Sequence, residues 1–142
     1  MIALGTPQED DIRRHAEAEY PYECCGLLLG RFDEDAHKTV VEVYPVSNAR
    51  EDEAKHNRSL ILPLEYVRGE RYARQHGLEV VGNYHSHPDH PAAPSQFDLD
   101  HAWPTWSYLI VSVSEGQARE LRAWELRADR SGFDEEEITR GV

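Results

Sequence analysis

At 142 residues the chain is about one domain long, enough to bury roughly two-thirds of its unfolded surface, so residues 1–142 are expected to form a single domain. Acidic side chains outnumber basic ones 27 to 15, and the resulting charge of -12, without a dense Lys/Arg cluster, excludes nucleic acid as an expected partner. No apolar run approaches the roughly 20 residues that span a bilayer and the amino terminus has no leader pattern, so no membrane partner is expected and a cytoplasmic setting is.

In chain order, TPQEDDIRRHAEAEYP (6–21) predicts a first helix. Thr6 suits the N-cap, Pro7 the first helical position, Glu9 the other half of a capping box, and Pro21 a stop. CCGLLLG (24–30) and TVVEVYPV (39–46) are apolar or alternating runs with acidic turn residues between them, the pattern of a two-stranded hairpin. Cys24 and Cys25 point to opposite faces of an extended chain, so they are expected to stay unbridged, which suits a reducing compartment. They head an apolar run, where cysteine behaves as a small hydrophobe. SNAREDEAKHNRS (47–59) reads as a polar loop.

Residues 62–77 place Leu64, Val67, Arg71 and Ala73 near a helical period and end at Gly77, although Gly69 weakens such a helix by about 1 kcal/mol. LEVVGNYHSH, SYLIVSV and ARELRAWEL are three further strands, with a loop and a short helix between the first two. The fold class is therefore α/β, a central sheet with helices, and the residues after 127 add little to it.

The first of those strands ends in two histidines. Residues i and i+2 of a strand share a face, so His85 and His87 lie side by side while Ser86 points away, the geometry of two metal ligands. Pro88, Pro91 and Pro94 force a non-helical connection. Ser95, three positions before Asp98, then reads both as a helix cap and as a way to aim a carboxylate into the same cleft. Two imidazoles and one carboxylate leave a fourth tetrahedral position open for water, the arrangement of catalytic rather than structural zinc. Asp89, His90, Asp100 and His101 are near enough in sequence to be alternative ligands; the placement relative to Ser95 favours Asp98. His15, His37, His56 and His76 fall in helical or loop contexts and are expected to be solvated.

His85-Ser86-His87-Pro88, then Ser95, then Asp98, matches the pattern H-x-H-x(7)-S-x(2)-D, and in this the chain resembles the JAMM (MPN-plus) zinc metallopeptidases. Glu23, just before CGLLLG, stands where that family has a glutamate. The resemblance runs from about Ile12 to Leu126. It implies a cytidine-deaminase-like mixed β-sheet flanked by helices, the JAMM/MPN fold. It further implies Zn²⁺ held by His85, His87 and Asp98, Glu23 as general base, and Ser95 as a donor to the oxyanion of a tetrahedral intermediate.

Small stand-alone prokaryotic members of that family are associated with ubiquitin-like sulfur-carrier proteins of the ThiS/MoaD type, whose Gly-Gly tails carry adducts. This chain is similar to them in being short and in having only a brief loop, LDHAWPTW, after Asp98. The resemblance thus implies a zinc-dependent peptidase or isopeptidase that cuts the amide at the Gly-Gly tail of a small ubiquitin-like protein, taking that tail into a narrow cleft as an added strand. The alternative is a non-catalytic MPN-type protein-binding module; such modules usually lack one or more ligands, and here none is missing.

Overall fold

A strand covered on both faces needs no polar alternation, and this explains the unbroken run CCGLLLG. In the computed structural model, which describes residues 1–48 and 61–140, Cys25–Phe32 form strand β2. Cys24 and Leu28 pack in one cluster with Ile12 and Ala16 of helix α1 (Thr6–Glu19); Leu27 and Leu29 pack in another with Ala73 of helix α2 (Pro63–Gln75). The two helices thus cover opposite faces of the same strand.

Strand β2 pairs antiparallel with β3 (Lys38–Val46), the expected hairpin, and on its other side with β4 (Glu79–Pro88). β4 runs parallel to β5 (Ser107–Ser114), with the short helix α3 (Gln96–Asp100) in the crossover, and β6 (Gln117–Leu126) returns antiparallel. Three short strands complete the sheet: β1 (Ile2–Leu4), β7 (Phe133–Glu136) and β8 (Ile138–Arg140). The order is β7-β6-β5-β4-β2-β3-β1-β8. β7 and β8 stand at opposite ends of that order, yet only Glu137 separates them along the chain, so the sheet must curl until its edges meet as a near-barrel. Lys38 is buried across the closure, with Nζ 3.1 Å from Glu125 and 3.4 Å from Glu136. A buried ammonium is tolerable only when paired in this way.

Several expectations change. β1, β7 and β8 are three or four residues long, too short for a periodic signal to stand out. Gly5, not Thr6, is the N-cap of α1, so the expected Thr6–Glu9 capping box does not form. Glu9 instead accepts from Arg13 at 3.0 Å and from Arg140 at 2.9 Å. In α2 only part of the expected face is buried: Ala73 is, together with Gly69, whereas Leu64 and Val67 are more than half exposed. A Cβ on Gly69 would lie 2.3 Å from Leu27 Cδ1, so the residue that weakens the isolated helix is what lets it settle on β2. The segment expected as a polar loop, 47–59, lies outside the described residues except for Ser47 and Asn48.

Candidate metal centre

Strict alternation along β4 would turn His85 and His87 to the face of Val81, into the core beneath α1. A bulge prevents it. The pairing with β2 shifts between Leu28 and Leu29, whose partners are Gly82 and Val80, leaving Val81 as the extra residue. Val80 packs on the α2 side and Val81 on the α1 side; past the bulge, Tyr84 joins the α1 cluster while Asn83 and His85 line a cavity beside α2. Bulges re-aim side chains, and this one swings the histidine pair out of the core.

The Nε2 atoms of His85 and His87 are 3.1 Å apart. Asp98 completes a triangle, with Oδ1 3.2 Å from His85 Nε2 and Oδ2 3.4 Å from His87 Nε2. Around a tetrahedral zinc with bonds of about 2.0–2.1 Å, ligand atoms stand about 3.3 Å from one another, so the spacing fits. The donor set fits as well, because two buried ring nitrogens aimed at one point repel as bare lone pairs and are reconciled by a cation. His87 Nδ1 lies 2.8 Å from the Pro91 carbonyl, which can only accept, so Nδ1 carries a proton and Nε2 is the atom turned to the triangle.

Ser95 caps α3 in full: its Oγ accepts the Asp98 N–H at 3.1 Å, and the Asp98 carboxylate accepts the Ser95 N–H at 2.8 Å. The cap thereby holds the carboxylate toward the histidines. Burial by itself would raise the Asp98 pKa, but the His85 charge and hydrogen bonds from His85, His87 and the Ser95 N–H outweigh it and keep the carboxyl well below the usual carboxylate range. Glu23, 3% exposed, joins the two histidines, with a carboxylate oxygen and one ring nitrogen of each all within 4.8 Å of one another. One water can bridge such a gap.

His85 and Asp98 of this triangle line a cavity of about 540 Å³ together with Tyr66, Phe97, Trp103, Trp106 and Tyr108. Its rings come from α2, α3, β5 and the loop before β5, and Tyr66 packs against Trp106 with ring centroids 5.5 Å apart. β4 is paired with β2 over Glu79–His85 and with β5 over Gly82–Pro88.

The alternative ligands are engaged elsewhere. Asp89 accepts the Tyr20 hydroxyl at 2.9 and 3.0 Å, Asp100 accepts from Gln96, His101 Nδ1 meets the Phe97 carbonyl, and His90 is exposed. Another acid and histidine group, Asp33, Asp35 and His37, is an exposed turn in which Asp33 already accepts the N–H groups of Asp35 and His37. His15 is a correction: rather than solvated, it is mostly buried against Tyr84, with Nδ1 2.7 Å from the hydroxyl. Cys24 and Cys25 are free and buried, and burial pushes the Cys24 thiol up to about 12 and Cys25 higher still, so both act as small apolar fillers.

Comparison with known proteins shows the family. Residues 6–127 match the family model described as prokaryotic homologs of the JAB domain. The chain belongs to this family. It is 37% identical over 117 residues to the desampylase of Haloferax volcanii, covering 78% of this chain and 80% of that protein. It is 31% identical over 104 residues to a probable TtuB-protein conjugate cleaving protease of Thermus thermophilus, covering 73% of this chain and 65% of that one. Among solved structures, a protein of Desulfitobacterium hafniense superposes with a TM-score of 0.86 at 35% identity, covering 99% of this chain and 93% of the other. A JAB1/MPN domain protein of Archaeoglobus fulgidus superposes with 0.61 at 18% identity, covering 100% and 98%, a likeness of fold alone. The expected fold, mixed α/β of the JAMM/MPN kind, and the expected enzyme class, a JAMM-type metallopeptidase, therefore hold for this JAB-domain chain.

The structure brings Glu23, His85, His87 and Asp98 around one point, with Ser95 exposed at its rim. Sequence reasoning missed the aromatic lining and the Pro91 carbonyl behind His87. Spacing carries no signal for either, since a carbonyl has no residue type and the rings come from separate segments.

Proposed function

We propose that this chain, acting as a single domain over residues 1–142 in a cytoplasmic setting, is a zinc-dependent isopeptidase that cuts the amide at the Gly-Gly tail of a small ubiquitin-like, sulfur-carrier type protein. The observation that carries the reading is the His85–His87–Asp98 triangle with the Glu23 carboxylate buried beside it. The name of the Thermus relative, a conjugate-cleaving protease, supports the bond type. Two unbridged thiols suit a reducing compartment, and no helix among the described residues is long and apolar enough to cross a membrane.

His85, His87 and Asp98 would hold the metal, which when bound lowers the pKa of water to about 7 and polarises the scissile carbonyl. Glu23 takes the proton from the attacking water and delivers it to the leaving amine. The Ser95 Oγ already accepts the Asp98 N–H, which leaves its own proton to donate to the oxyanion as the carbonyl becomes tetrahedral. The Asp98 carboxyl, held ionised, keeps its side of the triangle anionic across the working pH range. Carriers preceded at their Gly-Gly by apolar residues suit the aromatic lining.

The test is hydrolysis, followed by mass, of a Gly-Gly-ending ubiquitin-like carrier amide-linked to a lysine peptide. Zinc-loaded wild type is expected to release the peptide, and Glu23→Gln to be slower by about 100- to 10,000-fold with its zinc retained. A wild type that holds zinc and leaves every such conjugate intact refutes the reading and favours the binding-module alternative.

A further inference from the structure

A glutamate has a long, pliant side chain, so a general base at that position is only as well placed as the backbone that carries it. Glu23 precedes β2, and the peptide unit joining it to Cys24 is held at both ends by side chains. Asn48 Nδ2 donates to the Glu23 carbonyl at 3.1 Å. At the other end, the Cys24 N–H donates to Ser86 Oγ at 2.8 Å, wholly out of solvent. Ser86 holds residue 24 once more: its N–H donates to the Cys24 carbonyl at 3.2 Å.

Ser86 lies between the two histidines of the triangle and faces the opposite way. Successive residues of a strand share one stiff backbone, so the ring nitrogens on one face and the hydroxyl that locates residue 24 on the other move as a unit. The separation between base and metal ligands is thus set through one peptide unit and one serine, rather than through the loop that leads into β2.

We propose that Ser86 and Asn48 are positioning residues for the reaction, clamping the Glu23–Cys24 peptide so that the Glu23 carboxylate stays at its working distance from the His85–His87–Asp98 triangle. The proposal rests on Glu23 being the base, as proposed above. Misplacing a reacting group by about 1 Å costs on the order of 100-fold in rate.

The experiment combines Ser86→Ala and Asn48→Asp, the latter putting an acceptor in place of the donor, with Glu23→Gln. The probe is a Gly-Gly-ending ubiquitin-like carrier amide-linked to aminocoumarin, with all proteins zinc-loaded. Each clamp variant is expected to lower kcat by about 10- to 100-fold, to leave KM within about twofold, and to keep the zinc stoichiometry of wild type. In the Glu23→Gln background neither is expected to lower kcat further, because both act through the missing carboxylate. An unchanged kcat, an effect on KM alone, or the same loss with Glu23→Gln would overturn the clamp. Asn48 stands at the end of β3 and is half-buried, so Asn48→Asp decides the matter if Ser86→Ala does not fold. Should wild type leave the probe uncut, the substrate reading falls, and the clamp is judged by the ¹³C resonance of the Glu23 carboxyl in the zinc-loaded protein. A shift in either variant upholds the clamp, and an unmoved resonance overturns it.

Discussion

The two faces of β4 both bury polar side chains, under opposite conditions. On the α1 face the Tyr84 hydroxyl meets His15 Nδ1 at 2.7 Å and the Ser86 hydroxyl meets the Cys24 N–H, so each polar atom finds a complementary partner inside the protein. On the α2 face His85 and His87 turn like atoms toward each other, with a carboxylate held ionised beside them. One face pairs unlike groups, whereas the other gathers three metal-ligating groups at one point, an imbalance of kind. Buried polarity alone therefore does not mark a site; an imbalance that a cation completes does.

The sharpest way to break that contrast is to remove one member from each face. His87→Ala or Asp98→Ala is expected to lose stoichiometric zinc by metal analysis of the purified protein, a fall in affinity beyond the roughly 10- to 100-fold that outer hydrogen-bond partners are worth. His15→Gln should keep its zinc. If His15→Gln sheds metal as readily, the two faces are one coupled unit and the comparison is wrong.

A smaller effect is expected from crowding the balanced face. A Cβ at Gly26 would lie 2.3 Å from the Tyr84 ring, itself fully buried, so Gly26→Ala must push the ring aside. We expect a loss of about 1–3 kcal/mol in urea unfolding, with zinc stoichiometry kept.

The smallest effect concerns pH. Burial lowers the His15 pKa, and Glu19, 3.9 Å away, opposes this without reversing it. Below its ordinary value of 6.5 the unfolded chain then binds a proton that the folded chain declines. The stability owed to neutral His15 is complete above that pH and drains away as pH falls through it. The urea midpoint should drop from about pH 7 to about pH 5, and drop less in His15→Gln; equal slopes would mean His15 is as solvated as its helical context suggested.

Much of the candidate site was legible because its signals are local. Ser95 and Asp98 cap each other over three residues, and His85 and His87 share a face over two, distances at which spacing is geometry. The hairpin of β2 and β3 was legible for the same reason, since its alternation and turn lie within one short segment.

What the sequence by itself determined, then, is the inventory and its short-range geometry: two imidazoles side by side, a capped carboxylate, two apolar strands that pair. Only the tertiary structure decided which way the histidines point, because the bulge at Val81 exists only in the register between β4 and β2. It alone decided that Glu23 is delivered to them, since Cys24 and Ser86, 62 residues apart, meet only when those strands pair. It also decided which side of α2 is buried, through the approach of Gly69 to Leu27, and that Phe133–Glu136 and Ile138–Arg140 close the sheet. The division follows from range: periodicity and capping act over a few residues along the chain, whereas register, closure and convergence are properties of pairs that the chain brings together only by folding.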